Sequence, residues 1–161
     1  MEFSQYAKSQ YDWILSSRQV LFDYCKTIRE EDFVNENTDF GQGGSMRNLL
    51  VHTANAYVFW IGNVALGKGL EFSKNESVKN ISAAINIFVS VNHLMIEFLE
   101  SRPSNRIAYE IGGGKGITTP ATIFAHVTTH EFHHKGQILS ISRHLGYVPV
   151  IPTSFANLPL P

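Results

Sequence analysis

The chain has 161 residues, 43% of them hydrophobic, and sets 13 Lys and Arg against 14 Asp and Glu for a formal net charge of −1; this suits one domain (1–161) with its own core and, without a basic cluster, argues against a nucleic-acid partner. Glu2, Lys8, Asp12 and Arg18 interrupt any secretory h-region, and no run reaches the roughly 18 apolar residues of a membrane span. The single Cys25 cannot form an intrachain disulfide, so a soluble, cytoplasmic protein without a membrane partner is expected.

Phe3, Tyr6, Gln10, Trp13, Ser17, Val20, Tyr24 and Ile28 recur at steps of three and four, which predicts a first helix near 3–29 with that stripe buried. A polar loop from Asn35 to Gly44 follows. Ser45 is the predicted N-cap of a second helix near 46–66, with Leu49, His52, Ala56, Phe59 and Trp60 inward and Gly67 and Gly69 at its end. Ser73 and Glu76 have capping-box spacing. Val78, Ile81, Ile85, Phe88, Asn92, Met95 and Leu99 then repeat the rhythm in a third helix that stops before Pro103.

Ile107, Tyr109 and Ile111 alternate before Gly112-Gly113-Gly114-Lys115-Gly116, the pattern of a short hairpin or loop. The glycines lack the order of a phosphate-binding loop. Thr119 and Pro120 supply an N-cap and first-turn proline for a fourth helix near 120–145, closed by Gly146. The expected fold is all-α: a four-helix bundle with a long connection before its last helix. The tail 147–161, rich in proline yet apolar, is expected to be extended and to pack on the bundle or on a second subunit.

The fourth helix carries the chemistry. Ile123, Val127, His130, His134, Ile138, Ile141 and Leu145 form its inward stripe. The stripe is centred near His134, with His130 about 40° to one side and Glu131 about 60° to the other. A lone inward histidine is ordinarily a hydrogen-bonded core residue, but two imidazoles one turn apart converge readily on one ion. His52, inward on the second helix, is the natural third ligand, because metal sites that keep a position for water or substrate commonly use three protein ligands. His126, His133 and His144 fall at the margin of the stripe, and His93 lies off the inward face of its helix. Asn48, Asn55 and Asn92 are candidate orienting groups. Cys25 reads as structural.

His130-Glu131-Phe132-His133-His134 also spells HExxH, in which the Glu serves a zinc peptidase as general base. Gln137 and Ser140 stand where one peptidase class needs Gly and His, and no acid follows Glu131. A zinc hydrolase is therefore the weaker reading.

Two stretches, Ser45-Met46-Arg47-Asn48-Leu49-Leu50-Val51-His52 and Ala125 to Ile138, give the chain a full-length resemblance to the DinB/YfiT-like family. That resemblance implies a four-helix bundle that binds a divalent metal through His52, His130 and His134, the triad already reached from the facing stripes. It implies a helix-packing role for Lys135, Gly136 and Gln137, frequent homodimers, and relatives that are S-transferases or isomerases using low-molecular-weight thiols. The expectation is a metal-dependent enzyme in which Zn²⁺ or Ni²⁺ on the triad presents water or a thiol to an electrophilic small molecule. Glu131 would accept a proton or orient the bound water. A non-catalytic bundle binding metal or a small ligand for structural, stress or sensing purposes is the alternative.

Overall fold

In a computed structural model the described residues are 3–148, apart from 39, 41–43, 102 and 103. They are mostly helical, with one two-stranded antiparallel sheet. The predicted tail lies outside the described residues from position 149 onward.

Helix α1 runs Phe3–Cys25 and is shorter than predicted. Its last turn closes through Lys26, Thr27 and Ile28, whose N–H groups bond Phe22, Tyr24 and Cys25 carbonyls. A single helical turn, α2 (Glu30–Phe33), follows with Glu30, Glu31 and Asp32 at its start, where negative charge complements the exposed N–H groups. The buried face of α1 is one residue round from the predicted stripe. Ala7, Tyr11, Ile14, Arg18, Leu21, Phe22 and Cys25 are buried, whereas Tyr6 and Val20 are exposed. Two neighbouring stripes of similar hydrophobicity run along this helix, and contacts with other helices choose between them.

Helix α3 (Met46–Tyr57) starts where expected: Ser45 Oγ accepts from Asn48 N at 3.0 Å. It continues as a π-helical segment, Val58–Ala65, a wider winding that recurs at functional sites. The predicted capping box at Ser73 does not start the next helix. Asn55 on α3 instead takes both backbone groups of Ser73, donating to its carbonyl and accepting from its N–H at 2.9 Å each. Only a 3₁₀ turn, Asn75–Ser77, forms there. Helix α4 (Ile81–Glu100) begins at Asn80, whose side chain accepts from Ala83 N at 3.0 Å.

By length and composition α4 is apolar enough to cross a membrane, with a mean hydropathy of 1.4. This corrects the sequence expectation, which required an uninterrupted apolar run; an averaged value tolerates Asn86, Asn92 and His93. Ala84, Phe88, Val91, Met95 and Phe98 are buried, while exposed Glu97 pairs with Lys68 at 2.9 Å.

Strands β1 (Ile107–Ile111) and β2 (Gly114–Thr118) form a hairpin, one of the two forms expected for this segment. Gly112 and Gly113, at φ +57° and +80°, supply the two left-handed positions of the tight turn that suits strand twist. Tyr109 pairs with Gly116, and a Cβ at Gly116 would stand 2.6 Å from the Tyr109 ring. The ring therefore lies across the glycine and reaches Trp60 of the π-helical segment, centroid to centroid 5.3 Å. Helix α5 (Pro120–His144) has the predicted cap, Thr119 Oγ1 accepting from Thr122 N at 3.1 Å. Helix α3 packs on α4 and α5, and α1 packs on the same two. Tyr57, Phe88, Met95, Phe98, Ile123 and Ile138 fill the space between them.

Candidate metal centre

Successive helical turns of α5 present His130 and His134, and α3 presents His52 opposite them. His130 Nε2 lies 3.1 Å from His52 Nε2 and 3.0 Å from His134 Nε2. One ligand atom from each of the three lies within 4.8 Å of the others, so the group could hold a metal ion. The His52 ring stands at 53° to His130 and 90° to His134, an edge-on convergence of nitrogen atoms. Imidazole nitrogens bind zinc at about 2.0–2.1 Å, and nitrogens 3.0–3.1 Å apart are within reach of one such ion.

The donor chemistry points the same way. His134 Nδ1 lies 2.6 Å from Gln137 Oε1; the amide oxygen accepts, which puts the proton on Nδ1 and leaves Nε2 a lone pair. His130 Nε2 faces two other ring nitrogens and can donate to only one of them. Its Nδ1 is the one buried side-chain nitrogen or oxygen without a hydrogen-bond partner among the described residues. Three imidazoles so placed cannot satisfy one another, whereas a cation would take all three lone pairs. Burial holds His52 and His134 below the ordinary histidine range. Burial, helped by the neighbouring imidazoles, pushes His130 down to about 4. All three are therefore neutral imidazoles at neutral pH.

Gln137, expected to serve helix packing, thus also orients His134, a role its i+3 spacing makes legible. Gln137→Leu is expected to weaken Zn²⁺ binding about tenfold, as loss of a partner behind a ligand does; calorimetric titration of the metal-free variant measures it.

Glu131 is buried and engaged. Arg18 Nε and Nη2 donate to its two oxygens at 2.7 Å each, and the Tyr57 hydroxyl donates at 2.6 Å. These bonds occupy three of about four acceptor positions of a carboxylate. Burial and the Glu131 charge have opposite effects on Arg18, and the carboxylate prevails, raising its pKa. The sequence reading missed Arg18, Tyr57 and Tyr11. A buried acid requires a buried base, and Arg18 does sit among Tyr11, Ile14, Leu21 and Cys25 at helical spacing.

Asn92 accepts from Arg18 Nη1 at 2.6 Å and from the Tyr11 hydroxyl at 2.9 Å. Asn48 bonds Glu36 and Arg47, and Asn55 pins Ser73. His93 and His133 are exposed. His126, also exposed, stacks on His130 with centroids 5.7 Å apart and touches Trp60 at 5.2 Å, so an aromatic edge runs from the triad to the hairpin. Cys25 is buried, and burial pushes its thiol up to about 12, as befits a structural residue.

Among curated proteins, none matches the chain. The DinB family profile matches residues 3–158, a span that contains the triad and every described helix and strand. The chain belongs to the DinB family.

Proposed function

We propose that the protein is a divalent-metal-dependent enzyme, built as a single four-helix bundle, that activates water or a low-molecular-weight thiol for transfer to an electrophilic small molecule. The convergence of three neutral imidazoles from two facing helices carries this reading. The mutual packing of α1 and α3 with α4 and α5 supports the bundle. A Zn²⁺ or Ni²⁺ ion on His52, His130 and His134 would lower the pKa of a bound water to about 7, or deprotonate a coordinating thiol.

The chain's own residues supply the rest. Gln137 keeps His134 in the ligand tautomer, and the low pKa values of the triad keep protons from competing for its lone pairs. Glu131, held by Arg18 and Tyr57, acts through orientation, and this pairing weighs against the zinc-hydrolase reading, in which it would be a free base. Trp60 and His126 form an aromatic edge beside His130 for the substrate. In this reading the protein works in the cytoplasm, as a homodimer, without nucleic acid or membrane; the balanced charge and single cysteine support the setting.

Metal content by elemental mass spectrometry, on tag-free protein purified without metal resin, tests the centre. About one divalent ion per chain is expected, and none in His134→Ala. Equal metal in both would sink the assignment. Metal-dependent turnover of a thiol with a panel of electrophiles then separates an enzyme from a non-catalytic binder.

A further inference from the structure

We propose that Arg18 is the positioning residue of the metal centre, setting through its two-pronged bond to Glu131 the rotation of α5 that brings His130 and His134 to His52. This rests on the reading that the triad holds a divalent metal.

All four long helices among the described residues meet at Arg18. It projects from α1 and donates twice to Glu131 of α5 and once to Asn92 of α4. Tyr57 of α3 donates to the same carboxylate. Side-chain exposure is 3% for Arg18 and 11% for Glu131. The guanidinium lies over the Phe88 ring at 4.7 Å and near the Tyr11 and Tyr57 rings at 5.6 Å, which fixes its plane. A planar fork on a carboxylate specifies an angle, as a point charge does not.

Glu131 directly follows His130 and precedes His134 by three residues. At about 100° per residue, any turn of α5 that swung the histidine pair from His52 would also pull Glu131 off the fork. The contrast between the two ligands strengthens the inference. His134 is oriented by Gln137, but His130 Nδ1 has no hydrogen-bond partner among the described residues. No hydrogen bond behind the ring turns His130, so its direction depends on the helix that carries it and on the His126 ring stacked against it. Stability alone explains the network poorly, because apolar replacements of a buried ion pair commonly equal or exceed it.

The test uses the metal-free full chain and two variants. Arg18→Met with Glu131→Gln removes both charges and leaves Tyr57 an acceptor. Arg18→Lys keeps the charge and loses the fork. Zn²⁺ affinity is measured by calorimetry, coordination by the visible bands of Co²⁺, and metal-free stability by guanidinium unfolding. The double variant is expected to remain helical and bind Zn²⁺ about 10- to 100-fold more weakly, with altered Co²⁺ bands, as for partners that orient ligands. Arg18→Lys is expected to lose roughly threefold or more, since a lysine cannot replace a bidentate arginine. A purely structural role would move unfolding and leave the Co²⁺ bands alone. Wild-type affinity and bands in whichever variant folds would overturn the positioning role. Failure of the unaltered protein to bind Zn²⁺ is a different result and overturns the metal centre itself.

Discussion

Arg18→Met alone is expected to destabilise the metal-free protein by about 3–5 kcal/mol, the usual consequence of leaving one partner of a buried ion pair without the other. Methionine fills much of the arginine volume, so the effect is not chiefly a cavity. It arises because Glu131, 8% exposed, loses two charge-assisted bonds and keeps only the Tyr57 hydroxyl. Asn92 also loses its short contact from Nη1 but retains the Tyr11 hydroxyl. Lys26→Ala provides the internal comparison. Lys26 and Asp23 form an ion pair at a similar distance, 2.8 Å, but half exposed, and a pair so open to solvent is expected to contribute far less. Guanidinium unfolding of the two variants measures both. A loss below about 1 kcal/mol in Arg18→Met would mean that water reaches Glu131 and that the pair behaves as a surface bridge.

That same pair marks the boundary of what could be read from the chain. Features set by near neighbours were legible: the Thr119-Pro120 start of α5, the Gly112-Gly113 turn, the Ser45 cap, and the triad, whose members lie on the predicted faces of two strongly periodic helices. Features set by distant partners were not. The buried face of α1 includes Arg18, whose carboxylate partner lies 113 positions away, and periodicity instead placed the stripe on Tyr6 and Val20. Ser73 and Glu76 satisfy a local capping rule, yet Asn55 claims the Ser73 backbone and the helix waits until Asn80. Glu131 shows the same limit within the site. Its neighbours in sequence suggest a base, whereas its neighbours in space are a guanidinium and a phenol.

Saturating Zn²⁺ is expected to stabilise the protein by about 2.7 kcal/mol when free metal is 100 times Kd, an increment removed by a chelator and absent in His134→Ala. Its pH dependence follows from the triad. An unfolded histidine titrates near 6.5, whereas folded, metal-free His130 titrates at about 4, and His52 and His134 are also lowered. Between those values the unfolded chain binds protons that the folded triad refuses. The triad's contribution to metal-free stability is therefore complete above pH 6.5 and is lost as pH falls toward 4. Protons compete with Zn²⁺ in the folded state only once the lowered pKa values are approached. Zn²⁺ affinity should thus hold nearly constant from neutral pH to below the ordinary histidine value, then drop steeply toward pH 4. Calorimetric titration across this range checks it. Affinity that already falls about tenfold or more between pH 7 and pH 6 would mean that the imidazoles titrate like exposed histidines, and that burial does not prepare them as ligands.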